Sequence, residues 1–230
     1  VTPKPGATQK PQLNEDGSVT LPEGGTVTLP NGQPVTVPAG GTVNPDGTIT
    51  VPGADNTPGN GDDVTVKPTP EGGITVPGAD GDINTPNDNV TVNPAPNGDK
   101  PTLNPDGTVT VPNGGTVTPG NGQPVTVPNG STVNPDGTVN TPNNGVVKPN
   151  PDGTITLPGA DNNIKDPADN PTVAPKPGAT QKPTINNDGS VTLPEGGTVT
   201  LPNGQPVTVP NGGTVNPDGT ITVPGADNTP

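Results

Sequence analysis

One short phrase constrains this chain more than anything else in it: a β-branched core followed by a Pro-x-Gly turn, as in Thr26-Val27-Thr28-Leu29-Pro30-Asn31-Gly32. The phrase returns as Pro34-Val35-Thr36-Val37-Pro38-Ala39-Gly40, as Thr108-Val109-Thr110-Val111-Pro112-Asn113-Gly114 and as Thr198-Val199-Thr200-Leu201-Pro202-Asn203-Gly204. Val and Thr are stiff at χ1 and suit a pleated strand, and in Thr-Val-Thr the Val faces one side while both Thr face the other. In the turn, Pro presets φ at the first position, Asp, Asn or Glu suits the second, and Gly takes a left-handed third. Pro has no N-H to give a ladder and belongs at strand ends, where nearly all of these prolines fall. The pattern predicts an all-β chain of short strands joined by Pro-x-Gly turns.

Composition limits how such strands can be buried. There is no Phe, Tyr, Trp, Met, Cys or His, and the basic residues are eight Lys. Val, Leu, Ile and Ala alone do not fill a thick interior, whereas repeated thin layers remain open to them. A net charge of −14 with no basic cluster and no aromatic platform argues against nucleic acid. No apolar run approaches the ~20 residues of a membrane span, and neither a signal peptide nor a lipidation site is visible. The absence of Cys fits a surface protein that relies on repetition.

Residues 1–12 read as a Pro-rich, extended connector. Aliphatic strand centres follow at Val19, Val27, Val35, Val43, Ile49, Val64, Ile74, Ile83, Val90 and Leu103. A second set of ten lies at Val109, Val117, Val125, Val133, Val139, Val146, Ile155, Ile164, Val173 and Ile185. Residues 13–102 and 103–184 are thus two half-repeats, the second a shorter copy of the first. Residues 1–58 recur as 173–230, an offset of 172, with five changes: Thr2/Ala174, Gln12/Thr184, Leu13/Ile185, Glu15/Asn187 and Ala39/Asn211. Residues 185–230 therefore begin the next 172-residue repeat of one continuous tandem array, with spacings too short for helices between strands.

Two architectures compete. A Pro-x-Gly loop closes a hairpin well, which favours an antiparallel β-meander ribbon. Parity objects: with Leu29 paired to Gln33, residues 33, 35 and 37 all point back to the first strand, yet Val37 must also bond forward to Gly41. A flattened β-solenoid or related stacked-strand rod, with Pro-x-Gly at its corners, avoids the conflict and is the preferred expectation. A single phrase buries too little to offset its own ordering, so stability is expected only from stacking on neighbouring phrases or chains.

No catalytic site is expected. Without His, Cys or Arg the candidates are carboxylates and hydroxyls, and most Asp sit in turns where they bond their own backbone. No cofactor-binding or metal residues are assigned. Calcium is only a faint reading: Asp80-Gly81-Asp82-Ile83-Asn84 has the oxygen spacing of half an EF-hand loop but lacks the following Gly and distal Glu. Thr-rich surface suits O-linked glycans, and Asn89-Val90-Thr91 and Asn129-Gly130-Ser131 meet the N-linked pattern.

The rows Thr26-Val27-Thr28, Thr48-Ile49-Thr50, Thr108-Val109-Thr110, Thr116-Val117-Thr118, Thr154-Ile155-Thr156, Thr198-Val199-Thr200 and Thr220-Ile221-Thr222 resemble the Thr-x-Thr rows of β-solenoid ice-binding proteins, interrupted here by Pro34, Asn44 and Asn140. As a whole the chain resembles repetitive Thr/Val/Pro/Gly/Asn-rich regions of bacterial cell-surface and extracellular fibrous proteins. That resemblance implies an exported mechanical or adhesive role and brings no functional residues with it. The expected function is a non-enzymatic extracellular filament, sheath or cell-surface stalk whose partners are other copies of itself. The alternatives are a Thr-ladder binding module, for ice or as an adhesin, and a disordered glycosylated spacer.

Overall fold

The computed structural model describes residues 1–120 and 122–225, so the last five residues of the third segment lie outside the described residues. Every regular element among the described residues is a strand. The first part of the chain carries β1 (Thr2–Pro3), β2 (Gln12–Leu13), β3 (Val19–Leu21), β4 (Gly25–Thr28), β5 (Pro34–Val37), β6 (Gly41–Val43), β7 (Ile49–Val51), β8 (Val64–Pro68), β9 (Ile74–Val76) and β10 (Val90–Pro94). The second half-repeat carries β11 (Thr102–Leu103), β12 (Val109–Val111), β13 (Gly115–Pro119), β14 (Val125–Val127), β15 (Ser131–Val133), β16 (Val139–Asn140), β17 (Val146–Pro149), β18 (Ile155–Thr156) and β19 (Thr172–Pro175). The third segment adds β20 (Thr184–Ile185), β21 (Val191–Leu193), β22 (Gly197–Thr200), β23 (Pro206–Val209), β24 (Gly213–Val215) and β25 (Ile221–Thr222).

These strands form two facing sheets. One runs β2-β3-β6-β7-β8-β9-β10-β13-β14-β20-β21-β24-β25, the other β11-β12-β15-β16-β17-β18-β19-β22-β23, and the small sheet β1-β4-β5 lies beside β11 through β5. Alternation along each strand turns one residue in and the next out, and the inward residues of both sheets make one aliphatic core. Val19 stands opposite Val43, Val43 opposite Ile49 and Ile49 opposite Val66 in the first sheet, and Val109 opposite Val133 and Val133 opposite Val139 in the second. The core is one side chain deep per sheet, which is all that Val, Leu and Ile can fill.

Each half-repeat lays most of its strands in one sheet and lends a single hairpin to the other. After β3 the turn Pro22-Glu23-Gly24 carries the chain across to the hairpin β4-β5, and Pro38-Ala39-Gly40 brings it back to β6, which pairs with β3. Both turns close on one carbonyl: Leu21 O accepts the N-H of Gly24 at 3.0 Å and of Gly40 at 2.9 Å. Val111 O plays the same part for Gly114 and Gly130, and Leu193 O for Gly196 and Gly212. The lent hairpin is received by the last strand of the preceding half, β1 against β4, β10 against β13 and β19 against β22. Gly25, Gly115 and Gly197 open the lent hairpins because a Cβ at each would overlap the backbone of that receiving strand.

The crossing answers the parity objection. Val37 pairs back to Gly25 within its hairpin, while Gly41 pairs with Leu21 in the opposite sheet, so no strand has to bond both ways with one set of groups. The preferred solenoid expectation is not confirmed, and the antiparallel β-meander alternative fits the pairing: coil-on-coil stacking gives parallel ladders, whereas the ladders among the described residues are antiparallel apart from one bridge, Thr126 to Thr184. The reason is local. In the turns of the Asn14-to-Ser18 type the N-H of Gly17 reaches Asn14 O and the chain reverses within a few residues, which is hairpin geometry. Two strand centres also fail. Ile83 and Ile164 lie in turns, each a single aliphatic residue without the Thr-x-Thr alternation, and their carbonyls accept the side-chain amides of Asn89 and Asn170. The connector at 1–12 is not extended throughout: Ala7 N-H returns to Lys4 O, and the chain folds back over β3's turn.

Candidate functional surface

The outer surface is built from one repeated hairpin. In Asn44-Pro45-Asp46-Gly47-Thr48-Ile49-Thr50, the Asp46 carboxylate accepts the Thr48 N-H at 2.9 Å and the Thr48 hydroxyl at 2.7 Å, and the Asn44 amide donates to the Thr48 and Thr50 hydroxyls. The same network recurs around Asp16, Asp106, Asp152, Asp188 and Asp218, with Ser replacing Thr at positions 18 and 190. These bonds favour the ionised carboxylate. The hydroxyl and N-H of Ser18 hold Asp16 below the usual carboxylate range, the N-H and hydroxyl of Thr48 do so for Asp46, and residues 154, 190 and 220 act likewise on Asp152, Asp188 and Asp218. The turn Asp therefore serve structure, as the sequence indicated. The role of the Asn was missed, although its fixed offset from the Asp and from two hydroxyls is visible in the repeat.

A second device ties down the connectors. Glu23, in the crossing turn, accepts the Thr8 N-H and hydroxyl and the Gln9 N-H at 2.6 to 2.9 Å, and Glu195 does the same for Thr180 and Gln181. The Thr8 hydroxyl foremost, then the Gln9 N-H, lowers the Glu23 carboxyl; for Glu195 the Gln181 N-H leads. In the middle half-repeat Asn113 stands at that place and accepts the Asp99 N-H.

The half-repeats are then locked across the two sheets. The N-H of Gly53, after β7, donates to Pro105 O in the β11-β12 turn of the facing sheet, and Gly78 does so to Pro135 O. One half-repeat later Asn143 N-H reaches Asn187 O and Gly159 N-H reaches Pro217 O, at 3.0 and 3.1 Å, which are the same two locks with the sheets exchanged.

Thr residues form continuous rows on the outer faces. In the first sheet Thr20, Thr42, Thr50 and Thr65 are successive cross-strand partners, and farther on Thr126, Thr184, Thr192, Thr214 and Thr222. Lys67 and Asn93 break the row between them. Several hydroxyls bond one another, as Thr20 with Thr42, Thr50 with Thr65 and Thr75 with Thr91 at 2.9 to 3.0 Å. In the second sheet Asn140 interrupts a row beside Thr132, while Pro34 faces Thr28 in the small sheet and Asn44 is a turn residue.

The acidic loops do not converge. Asp80 accepts the Asp82 N-H and the Thr85 hydroxyl, and Asp82 accepts from Asn84. Among the described residues no three acidic side chains come together as metal ligands. Of the two glycosylation patterns, Asn129 is exposed with Ser131 buried beneath it, and half-buried Asn89 spends its amide on Ile83 O.

Apolar exposure is confined to the two ends of the chain. Among the described residues the exposed large hydrophobics are Val1 (53 %), Leu13 (78 %), Val207 (39 %) and Val223 (53 %). Their equivalents one period away, Val173, Ile185, Val35 and Val51, are buried at 0, 1, 9 and 1 %. Equivalent positions of the repeat are thus buried or bare according to whether a neighbouring half-repeat is present. Comparison with family models, characterised proteins and solved structures finds no match.

Proposed function

We propose that this is a structural repeat protein, the material of an extracellular filament, sheath or cell-surface stalk. The reading is non-catalytic, and its partners are further copies of the same repeat. The observation that carries it is the lent hairpin: each half-repeat completes its neighbour's sheet, so the core continues from one unit to the next without a domain boundary. Elements that lock only to their neighbours extend a molecule; a site for a substrate gains nothing from such recurrence. Between β2 and its equivalent β20 lie nine strand steps, and at ~4.8 Å per step a 172-residue period advances a rod by about 43 Å. The chain resembles exported repetitive proteins in texture, and the lack of Cys agrees with a surface fibre stabilised by repetition.

Small-angle scattering from the chain and negative-stain microscopy of the native material test this reading. Rods whose length grows by about 43 Å per added period are expected; isometric particles would overturn it.

The Thr rows favour a second reading, a binding face for ice or a carbohydrate surface. The rows are regular, but many of their hydroxyls are already bonded to Asn or to each other. Thermal hysteresis abolished when Thr42, Thr50 and Thr65 are changed to Val would support it, and its absence in the unmodified chain would dismiss it.

A further inference from the structure

Lysine is placed in this chain under a rule with one exception. Of the eight Lys, all but Lys165 precede proline, from Lys4-Pro5 to Lys182-Pro183. A trypsin-type serine protease cuts after Lys or Arg, and proline at the next position defeats it, because the ring sits on the leaving nitrogen and restricts the residue before it. The chain has no Arg, and it has no Phe, Tyr, Trp or Met, the side chains that chymotrypsin-type pockets prefer. Five of the seven Leu also precede proline. Lys165 alone among the Lys is followed by another residue, Asp166.

The fold puts that exception in the open. Lys165 and Asp166 lie in the loop between β18 and β19, and both are exposed, as are Pro167 and Ala168 after them. The counterpart loop between β9 and β10 carries Ile83-Asn84-Thr85-Pro86 in the place of Ile164-Lys165-Asp166-Pro167, so one half-repeat offers a Lys here and the other an Asn. The N-H groups flanking the bond reach only their own loop: that of Lys165 donates to Asn163 Oδ1 at 3.2 Å and that of Asp166 to Asn163 O at 3.0 Å. Exposed loop tips of this kind open locally at little cost and are where proteases enter.

The chain after the loop is joined to the chain before it by far more than the loop. β19 pairs with β18, and at the seam of β14 and β20 the Thr126 N-H donates to Pro183 O at 3.0 Å. The locks from Asn143 N-H to Asn187 O and from Gly159 N-H to Pro217 O also cross the cut, and Ile155, Val173 and Ile185 are buried in the shared core.

We propose that Lys165-Asp166 is a cleavage site for a trypsin-type serine protease, the one such bond in each 172-residue period, and that a chain cut there remains a single particle. The protease spends one water: the C-N bond between the two residues breaks, the hydroxyl goes to the Lys165 carbonyl carbon and the proton to the Asp166 nitrogen. The site does not depend on the filament reading; within a filament it lets each period be nicked without parting the rod.

Trypsin digestion of the native full chain, followed by intact mass, tests this. Two fragments, residues 1–165 and 166–230, are expected, at a rate within about tenfold of that for a free peptide of residues 159–171, since only local opening is required. The cut chain should elute with the uncut one in size-exclusion chromatography and come apart in urea. Lys165→Asn, which copies the counterpart loop, should keep the uncut chain's circular dichroism spectrum and stay whole under the same digestion. A native chain cut more slowly than that range, or at another bond, overturns the site, and fragments that separate in buffer overturn the single particle. Neither result alters the rod shape that scattering measures.

Discussion

Leu13 and Ile185 occupy the same place in consecutive repeats, one bare and the other sealed, and truncating each to Ala should have sharply different costs. Ile185 is 1 % exposed, and Ile→Ala in a closed core removes about 2 to 5 kcal/mol, combining lost transfer energy with an unfilled cavity. The seam beside β14 cannot collapse onto the gap without breaking the Thr126 bond to Pro183 O, which argues for roughly 3 kcal/mol. Leu13 is 78 % exposed, so about a fifth of a full burial of 1.5 to 3 kcal/mol is at stake, or roughly 0.3 to 0.6 kcal/mol. The measurement is urea denaturation followed by far-UV circular dichroism, since the chain has no aromatic fluorophore, with both variants at one protein concentration. Hydrogen exchange of the β20 and β21 amides localises the loss if unfolding is not all-or-none. Equal costs at the two positions, or the larger one at Leu13, would refute the claim that a neighbouring half-repeat is what buries a strand.

Three further outcomes follow from the same structure. The Asp46, Asp152, Asp188 and Asp218 carboxyls are held below their ordinary values in the folded chain, so their contribution is complete above the unfolded carboxylate range near about 4 and is lost as pH falls through the lower folded values; a thermal melt series should be nearly flat from about pH 5 to 7 and drop only in acid. Gly145 and Gly189 meet where the β16-β17 and β20-β21 turns cross, and a Cβ at Gly145 would stand 2.5 Å from Gly189 Cα, so Gly145→Ala should cost about 1 to 3 kcal/mol in urea. Because Asp80 and Asp82 are engaged by their own loop, millimolar calcium or EDTA should leave the melting temperature within about 1 °C.

Strand content was legible in the sequence because Thr-Val-Thr carries its own period and Pro-x-Gly its own punctuation: eighteen of the twenty expected strand centres lie in strands, and the other two, Ile83 and Ile164, fall in turns where that period is missing. The turn role of Asp46 and its equivalents was equally plain. Pairing was not legible. Leu21-Pro22-Glu23-Gly24-Gly25 and Leu29-Pro30-Asn31-Gly32-Gln33 look alike as text, yet the first crosses between sheets and the second closes a hairpin. The second Gly is not enough to tell them apart: Gly25 admits the receiving strand from the preceding half, but Pro70-Glu71-Gly72-Gly73, the same four residues as Pro22-Glu23-Gly24-Gly25, closes the β8-β9 hairpin. Parity had marked the place at which consecutive pairing must fail without revealing that the chain would answer by changing sheets. The exposure of Leu13 and Val207 was invisible for a simpler reason: residues 201–210 around Val207 repeat 29–38 unchanged, and residues 10–15 around Leu13 differ from 182–187 only at 12, 13 and 15, with an aliphatic residue at 13 in both.

The interlocked pairing can be tested by cross-linking, because the chain contains no Cys to confuse the result. Thr192 and Thr214 are direct cross-strand partners, their hydroxyls 2.9 Å apart across the intervening hairpin, whereas Thr192 and Thr198, on consecutive strands, lie in opposite sheets. Under mild oxidation the double substitution Thr192→Cys/Thr214→Cys should form an intramolecular disulfide in nearly all molecules, since facing antiparallel positions meet its geometry. Thr192→Cys/Thr198→Cys should form none; the reverse outcome would mean that consecutive strands pair in order and that the half-repeats do not share their sheets.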